Sequence, residues 1–327
     1  MKTALVCGAG GFIGSHIARR LKAEGYWVRG ADLKHPEFSA TVCDEFNICD
    51  LRNYGKASVV MFGPFRQPFD LVVQLAADMG GAGFVFTGEH DADILYNSVM
   101  INLNIAHLSE KFKIGKIFYS SSACVYPEHI QNSDYSPSLK EEDAYPVNPD
   151  SDYGYEKIFS ERIYQAYSRN YGLNIRIARF HNIMGEEGAY VGGREKSPAA
   201  ICRKVAEAKD GDAIEIWGNG LQTRSFLHIS ECCEGIMRII NSDYKEPLNL
   251  GSSERISINE LARMVIEISG KRLTISNIES AAIGVRGRNS NNQRIQEVLG
   301  WKPSASLQSG IEKLYFWINQ QINPNVR

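Results

Sequence analysis

A serine, a tyrosine and a lysine in this chain are spaced so that together they could move the proton of a reacting alcohol. Ser122 closes the run Lys116-Ile117-Phe118-Tyr119-Ser120-Ser121-Ser122, which begins apolar and aromatic, as a buried parallel strand does, and ends in hydroxyls. Tyr153 and Lys157 follow as Tyr-x-x-x-Lys, a spacing that puts both side chains on one helix face. A hydroxyl on a strand end and such a pair on the next helix can form a hydride-transfer site. Cys124 stands two residues past Ser122 and, on a continuing strand, would point the same way. An unperturbed thiol titrates at about 8.5 and can lend or take a proton near neutrality, although a lone cysteine is more often a small packing residue.

The preceding elements supply a place for a cofactor. Ala4-Leu5-Val6-Cys7 reads as a buried strand, followed by the turn Gly8-Ala9-Gly10-Gly11-Phe12-Ile13-Gly14 and a helix carrying Ile17, Ala18 and Leu21. Glycines at 8, 11 and 14 allow a tight turn, close approach to a pyrophosphate and close helix–sheet packing, with free N–H groups at the helix start. A second strand over 26–31 ends at Asp32, whose carboxylate can accept from both ribose hydroxyls and repel a 2′-phosphate, favouring NAD over NADP. Asp50, after a short strand over 46–49, either meets an adenine or is a solvated loop residue. The strand over 69–77 ends in small residues, Ala76 among them, where a flat cofactor can lie.

A flexible loop is expected over 78–84, a helix over 93–112 and a long surface loop over 128–151, which is polar and holds three prolines. The helix bearing Tyr153 should run to Tyr171, stop at Gly172 and lead into a strand over 174–180. Strands alternating with helices imply an α/β fold, a Rossmann-type doubly wound parallel sheet. Beyond Phe180 the rhythm breaks, and a smaller C-terminal substrate-binding domain interleaves with the first. The expected division gives 1–182 plus about 221–250 to the NAD-binding domain, and 183–220 with 251–327 to the other. Ser257-Ile258-Asn259-Glu260 reads as a capping box opening a helix that ends near Gly270.

The bulk properties fit an enzyme-sized globule: 327 residues, 43% hydrophobic, 23% charged, net charge −2. No block of like charge points to nucleic acid or a membrane surface, and neither a signal peptide nor an apolar run long enough to span a bilayer is expected. Seven scattered cysteines argue for a reducing, cytoplasmic setting, and no His/Cys cluster suggests a metal.

These residues resemble a known family. Gly8-x-x-Gly11-x-x-Gly14, Asp32, Ser122, Tyr153-x-x-x-Lys157 and Asn182 are similar to the extended short-chain dehydrogenases/reductases. Ala76-Ala77-Asp78-Met79-Gly80-Gly81, Ser121-Ser122-Ala123-Cys124, Gly192-Gly193-Arg194-Glu195-Lys196, the run 217–226 and the run 284–290 resemble the GDP-mannose 3,5-epimerases within them. Met184 and Ser98 depart from the pattern, standing where tyrosine and asparagine are usual.

The resemblance implies transient oxidation at C4 of the sugar by NAD+, which makes C3 and C5 acidic because each carbanion becomes an enolate. Tyr153 would act as the phenolate base, its pKa lowered by Lys157, with Ser122 holding the oxygen. Cys124 and Lys196 would be the acid/base pair, and Gly81, Ser122, Ala123, Asn182, Glu195, Lys204, Gln222, Arg224 and Arg288 would contact the nucleotide sugar, Arg288 at the diphosphate. Gly8, Gly11, Phe12, Ile13, Gly14, Asp32, Asp50 and Ala76, with Tyr153 and Lys157, would hold NAD. GDP-mannose as substrate, GDP-L-galactose and GDP-L-gulose as products, and a homodimer are implied. A 4-keto-6-deoxy nucleotide-sugar epimerase/reductase and a non-catalytic NAD-binding scaffold are the competing readings, which Asp32 with Lys196, and the Tyr153/Lys157 pair, respectively disfavour.

Overall fold

Short apolar runs without alternation become strands buried on both faces, and in the computed structural model they build one parallel sheet. The structure describes residues 1–281 and 283–324. The first half runs β1 (Thr3–Cys7), α1 (Phe12–Ala23), β2 (Trp27–Asp32), β3 (Glu45–Ile48), α2 (Tyr54–Met61), β4 (Leu71–Gln74), α3 (Ala82–Val85), α4 (Asp91–Lys111), β5 (Ile117–Ser122), α5 (Asp152–Tyr171) and β6 (Ile175–Phe180). The second runs β7 (Ile183–Met184), α6 (Ser197–Glu207), β8 (Ala213–Trp217), β9 (Thr223–Ser225), β10 (Leu227–His228), α7 (Ile229–Asn241) and β11 (Leu248–Leu250). It continues with β12 (Arg255–Ser257), α8 (Ile258–Ser269), β13 (Thr274–Ile278), β14 (Gly287–Arg288), α9 (Gln293–Leu299) and α10 (Leu307–Ile322).

Seven strands pair in the order β11-β6-β5-β4-β1-β2-β3, every pair parallel. The order reverses between β1 and β4, which opens a crevice at the carboxyl ends of those strands. One face packs Val6, Val28 and Phe118 against Ile17 of α1 and Ile236 of α7. The other packs Leu5, Val72 and Ile117 against Ile105 of α4 and Tyr164 of α5. A third core joins Ile201, Val265 and Ile311 from α6, α8 and α10 to Ile214 of β8.

Local signals set the element ends. Gly172 and Gly270 adopt φ of 74° and 67° and close α5 and α8 in the left-handed conformation that glycine takes without strain. The Ser257 hydroxyl accepts from the Glu260 N–H while the Glu260 carboxylate accepts from the Ser257 N–H, as the capping-box spacing predicts.

Residues 128–151 form the expected loop, half of it exposed, but it is anchored to the body of the protein at several points. Leu139 and Ala144 are fully buried, in a cluster with Val125, Tyr126 and Ile158. The segment's polar groups are satisfied at long range: Gln131 donates to the Tyr126 and Pro127 carbonyls, and Glu141 accepts from the Asn249 N–H at 2.9 Å.

A buried ion pair fixes α5 to the sheet. Arg179 of β6 donates through Nε and Nη2 to Glu161 of α5 at 2.9 and 2.8 Å, and Ser121 of β5 donates to the same carboxylate at 2.5 Å. Arg179 also reaches the Glu141 carbonyl at 2.7 Å, tying in the 128–151 segment.

His181, fully buried just past β6, donates from Nε2 to the Asn249 side-chain oxygen at 2.9 Å, while its Nδ1 has no partner. Burial and the neighbouring Arg288 and Arg179 charges push its pKa down to about 3. The folded state therefore binds fewer protons than the unfolded one, so stability present above pH 6.5 is lost as pH falls toward 3. We expect a loss of about 2 kcal/mol by about pH 5 from this group alone. Urea unfolding over that range should show a shallower slope in His181→Gln, and identical slopes would contradict the assignment.

Candidate active site

The glycine turn is packed so closely that side chains are excluded from it. A Cβ on Gly14 would lie 1.9 Å from the Gly8 carbonyl oxygen, and Gly8 itself holds φ 87° with its α-carbon against the Ala76 backbone. This leaves the start of α1, with Phe12 and Ile13 half-exposed, as a bare run of backbone amides at the mouth of the crevice. Asp32, at the end of β2, accepts from Gly10 N at 2.9 Å and Lys34 N at 3.2 Å, each through a different oxygen with a lone pair to spare. The arrangement fits a dinucleotide. Asp50 is engaged otherwise: Arg52 donates to it through Nε and Nη2, the latter at 2.7 Å, and holds its carboxyl below the usual range.

The strand bearing Ser122 ends there, so Cys124 is not on it. Residues 123–125 form a 3-10 turn because the Ser122 hydroxyl accepts from the Cys124 N–H at 3.1 Å and caps the turn. The turn still delivers Cys124 to Tyr153: its thiol packs against the cluster of Tyr153, Phe84 and Ile94. Tyr153 is buried near the start of α5, where Ser151 caps the helix. Gly154 makes that approach possible, since a Cβ there would lie 2.2 Å from the Cys124 carbonyl oxygen.

Tyr153 sits buried beside Lys157 on α5. Burial pushes its phenol well above the ordinary range; the Cys124 and Glu156 charges add to this, and a Ser122 hydrogen bond and the Arg288 charge oppose it. The Lys157 ammonium lies 5.5 Å from the centroid of the Tyr153 ring and 3.6 Å from the Glu156 carboxylate, which is itself buried. Glu156 was not singled out from the sequence, where a Glu-Lys step on a helix carries no sign of burial.

Arg288 is placed against the thiol. Its Nη1 donates to Cys124 Sγ at 3.0 Å, its Nε to Gln131 at 2.7 Å and its Nη2 to Asp150 at 2.9 Å, which uses three of the five guanidinium N–H groups. Gln131 and Asp150 come from the 128–151 segment and were also missed from sequence.

Lys196 arrives from the segment before α6. Burial pushes its pKa below the ordinary lysine range, with the Cys124 and Cys232 charges acting in the opposite sense. The 78–84 loop expected to be flexible is bound to this segment: Gly81 N donates to the Arg194 carbonyl at 3.0 Å, and Arg194 reaches Asp78 at 3.0 Å. A Cβ on Gly81 would stand 2.1 Å from the Glu195 carbonyl oxygen. One Glu195 carboxylate oxygen is buried without a hydrogen-bond partner.

The other expected sugar-nucleotide residues make internal contacts. Asn182, at φ 46°, donates to the Ser225 carbonyl at 3.0 Å. Lys204 donates to the Glu215 carbonyl at 2.6 Å and Gln222 to the Trp217 carbonyl at 2.9 Å. Arg224 donates to carbonyls of Thr223, Ile283 and Val285, with burial and the Arg288 charge lowering its pKa to about 10. The structure thus brings Ser122, Ala123, Cys124, Tyr153 and Arg288 together with Lys196 nearby, while Lys204 and Gln222 are bound to the Glu215 and Trp217 carbonyls.

Comparison with known proteins places this geometry in context. Residues 4–251 match the model of the NAD dependent epimerase/dehydratase family. The chain is 47% identical to GDP-mannose 3,5-epimerase of Arabidopsis thaliana over 97% of its length and 82% of that protein. It is 45% identical to GDP-mannose 3,5-epimerase 1 of Oryza sativa subsp. japonica with the same coverage. Its fold matches the UDP-glucose 4-epimerase of Thermotoga maritima with a TM-score of 0.83 at 22% identity, covering 98% of this chain and all of that one.

Gly14→Ala should weaken NAD binding by at least about tenfold, because its methyl forces the turn off the helix start. Calorimetric titration with NAD+ checks this, and parental affinity would contradict it.

Proposed function

The chain belongs to the NAD-dependent epimerase/dehydratase family, and we propose that within it this protein is a GDP-mannose 3,5-epimerase yielding GDP-L-galactose, with GDP-L-gulose as the product of inversion at C5 alone. The observation that carries the reading is the meeting of a thiol, a buried phenol and a depressed lysine at one crevice, in a chain 47% identical to an enzyme of that name.

Gly8, Gly11, Phe12, Ile13 and Gly14 would hold the pyrophosphate end of NAD, Asp32 a ribose, Ala76 with Tyr153 and Lys157 the nicotinamide end, and Asp50, held by Arg52, the adenine. When bound, NAD+ supplies the hydride acceptor and a positive charge on its ring. Tyr153 takes the proton of the C4 hydroxyl, and Ser122 steadies the oxygen. With C4 a ketone, Cys124 and Lys196 remove and return the protons at C5 and C3 from opposite faces of the ring. Burial holds the Lys196 pKa below the ordinary lysine range, the direction that favours a proton carrier. Arg288 holds the thiol in place from the side of Gln131 and Asp150. Gly81, Ala123, Asn182, Glu195, Lys204, Gln222 and Arg224 are assigned to the grip on the nucleotide sugar.

We assign the carboxyl-edge sheet and its flanking helices to the cofactor, and the core of α6, α8 and α10 to the nucleotide sugar, corresponding to 1–182 with about 221–250, and 183–220 with 251–327. A homodimer is supported by the outer face of α4 and α5, where Tyr96 and Leu103, seven apart, and Tyr155 and Phe159, four apart, stay 39–64% exposed. Seven free cysteines fit a reducing, cytoplasmic setting. Among the described residues no helix is long and apolar enough to cross a membrane.

The test is incubation with GDP-mannose in D2O, read by NMR. Deuterium should enter at C3 and C5 with no net consumption of cofactor. Tyr153→Phe should lower every conversion by about 10²–10⁴-fold. Cys124→Ala should keep a transient NADH absorbance while deuterium uptake stops. Absence of exchange with the parent protein would overturn the reading, and exchange retained in Cys124→Ala would remove the thiol from it.

A further inference from the structure

Two segments leave the sheet on opposite sides of the crevice and meet above it. One follows β2 and carries Phe38 and Ser39; the other follows β7, beyond β6, and carries Glu186, Glu187 and Tyr190. Because β2 and β6 flank β1, β4 and β5 in the sheet, a bridge between these segments passes over the carboxyl edge where the strand order reverses.

Two sets of contacts make the bridge, and a third ties the second segment to α1. Arg19 of α1 donates to Glu187 at 2.8 Å and to Ser39 at 3.0 Å, and Ser39 donates to the same Glu187 oxygen at 3.0 Å. Phe38 lies 5.8 Å from the Tyr190 ring and edge-on to Trp317 of α10 at 5.0 Å, with Tyr190 edge-on to the same indole at 5.7 Å. His16 of α1 donates to the Glu186 carbonyl at 3.1 Å, while the Glu186 carboxylate is held by His228 at 2.9 Å. Gly188 passes over Phe12, its missing Cβ position 3.6 Å from the ring, which puts the segment above the start of α1. Glu187 is held at φ 64°, a conformation a non-glycine residue keeps only when its surroundings fix it.

We infer that Phe38, Glu187 and Tyr190 form a strap across the pyrophosphate and adenosine end of the dinucleotide site and keep NAD bound from one catalytic cycle to the next. The strap crosses the start of α1, where Gly188 overlies Phe12, and follows β2 past Asp32, so it governs retention of the cofactor. Its purpose rests on the epimerase reading: the hydride removed from C4 must return to the same sugar, and a cofactor that departs reduced strands a ketone in the site.

The experiment loads the purified protein with isotopically labelled NAD+, adds excess unlabelled NAD+, and follows release. Phe38→Ala and Glu187→Gln should each speed release by at least about tenfold. High salt should speed release from the parent, by screening the half-exposed Arg19–Glu187 pair, and change Glu187→Gln little. Trp317→Phe keeps an aromatic face toward Phe38 and should retain near-parental release. Release within twofold of the parent in both Phe38→Ala and Glu187→Gln overturns the strap, as does a parent that exchanges its label as fast as the variants. Glu187→Gln is nearly isosteric at a half-buried site, so it reads the strap even should Phe38→Ala fail to fold. A parent that retains label but leaves GDP-mannose unchanged would sink the function proposed above and leave the strap standing.

Discussion

One buried carboxylate holds the reacting groups in register. Glu161 of α5 receives Arg179 of β6 and Ser121 of β5, and through Arg179 it reaches the carbonyl of Glu141. Tyr153 and Lys157 ride on that helix and Ser122 ends that strand, so their relative position follows from this junction. With side chains 3% and 1% exposed, Arg179 and Glu161 are both desolvated, and removing either partner leaves an uncompensated charge at a cost of about 3–5 kcal/mol. Such a junction permits little slippage, which suits a site where a hydroxyl on a strand must meet a phenol on a helix.

Electrostatics around the junction set what each group does. Tyr153 is pushed up and Lys196 down by the same cause, burial, acting on groups of opposite charge type. Glu156 lies 3.6 Å from Lys157, and its charge adds to the upward push on Tyr153. Arg288, fixed on Asp150 and Gln131, presents a permanent cation to Cys124 at 3.0 Å.

What could be read from sequence was what is local. The glycine turn, Asp32 at a strand end, the Tyr-x-x-x-Lys spacing and the Ser257–Glu260 box each lie within one turn or one helix, where residue type dictates conformation. The anchoring of residues 128–151 was not legible, because the partners that satisfy their polar groups, Arg288, Asn249 and Arg179, lie far away in sequence. Cys124 was assigned to the strand on spacing, but the Ser122 hydroxyl ends that strand by capping the next turn, a competition between side chain and ladder that alternation does not reveal. Glu156 and Asp150 carry no pattern of their own; they matter only through what folds against them.

The Arg288–Cys124 contact joins positions far apart in the chain, and this has a consequence for synthesis. The first six strands of the sheet, the glycine turn and Asp32 all leave the ribosome before β11, and Arg288 leaves later still, in β14. Chains emerge amino end first at about 5–20 residues per second, and their early parts fold while the rest is made. A nascent chain can therefore assemble its dinucleotide crevice before the guanidinium that braces the thiol exists in the cell. The capacity to bind and the capacity to react are acquired in that order, with the reactive half withheld until translation is nearly complete.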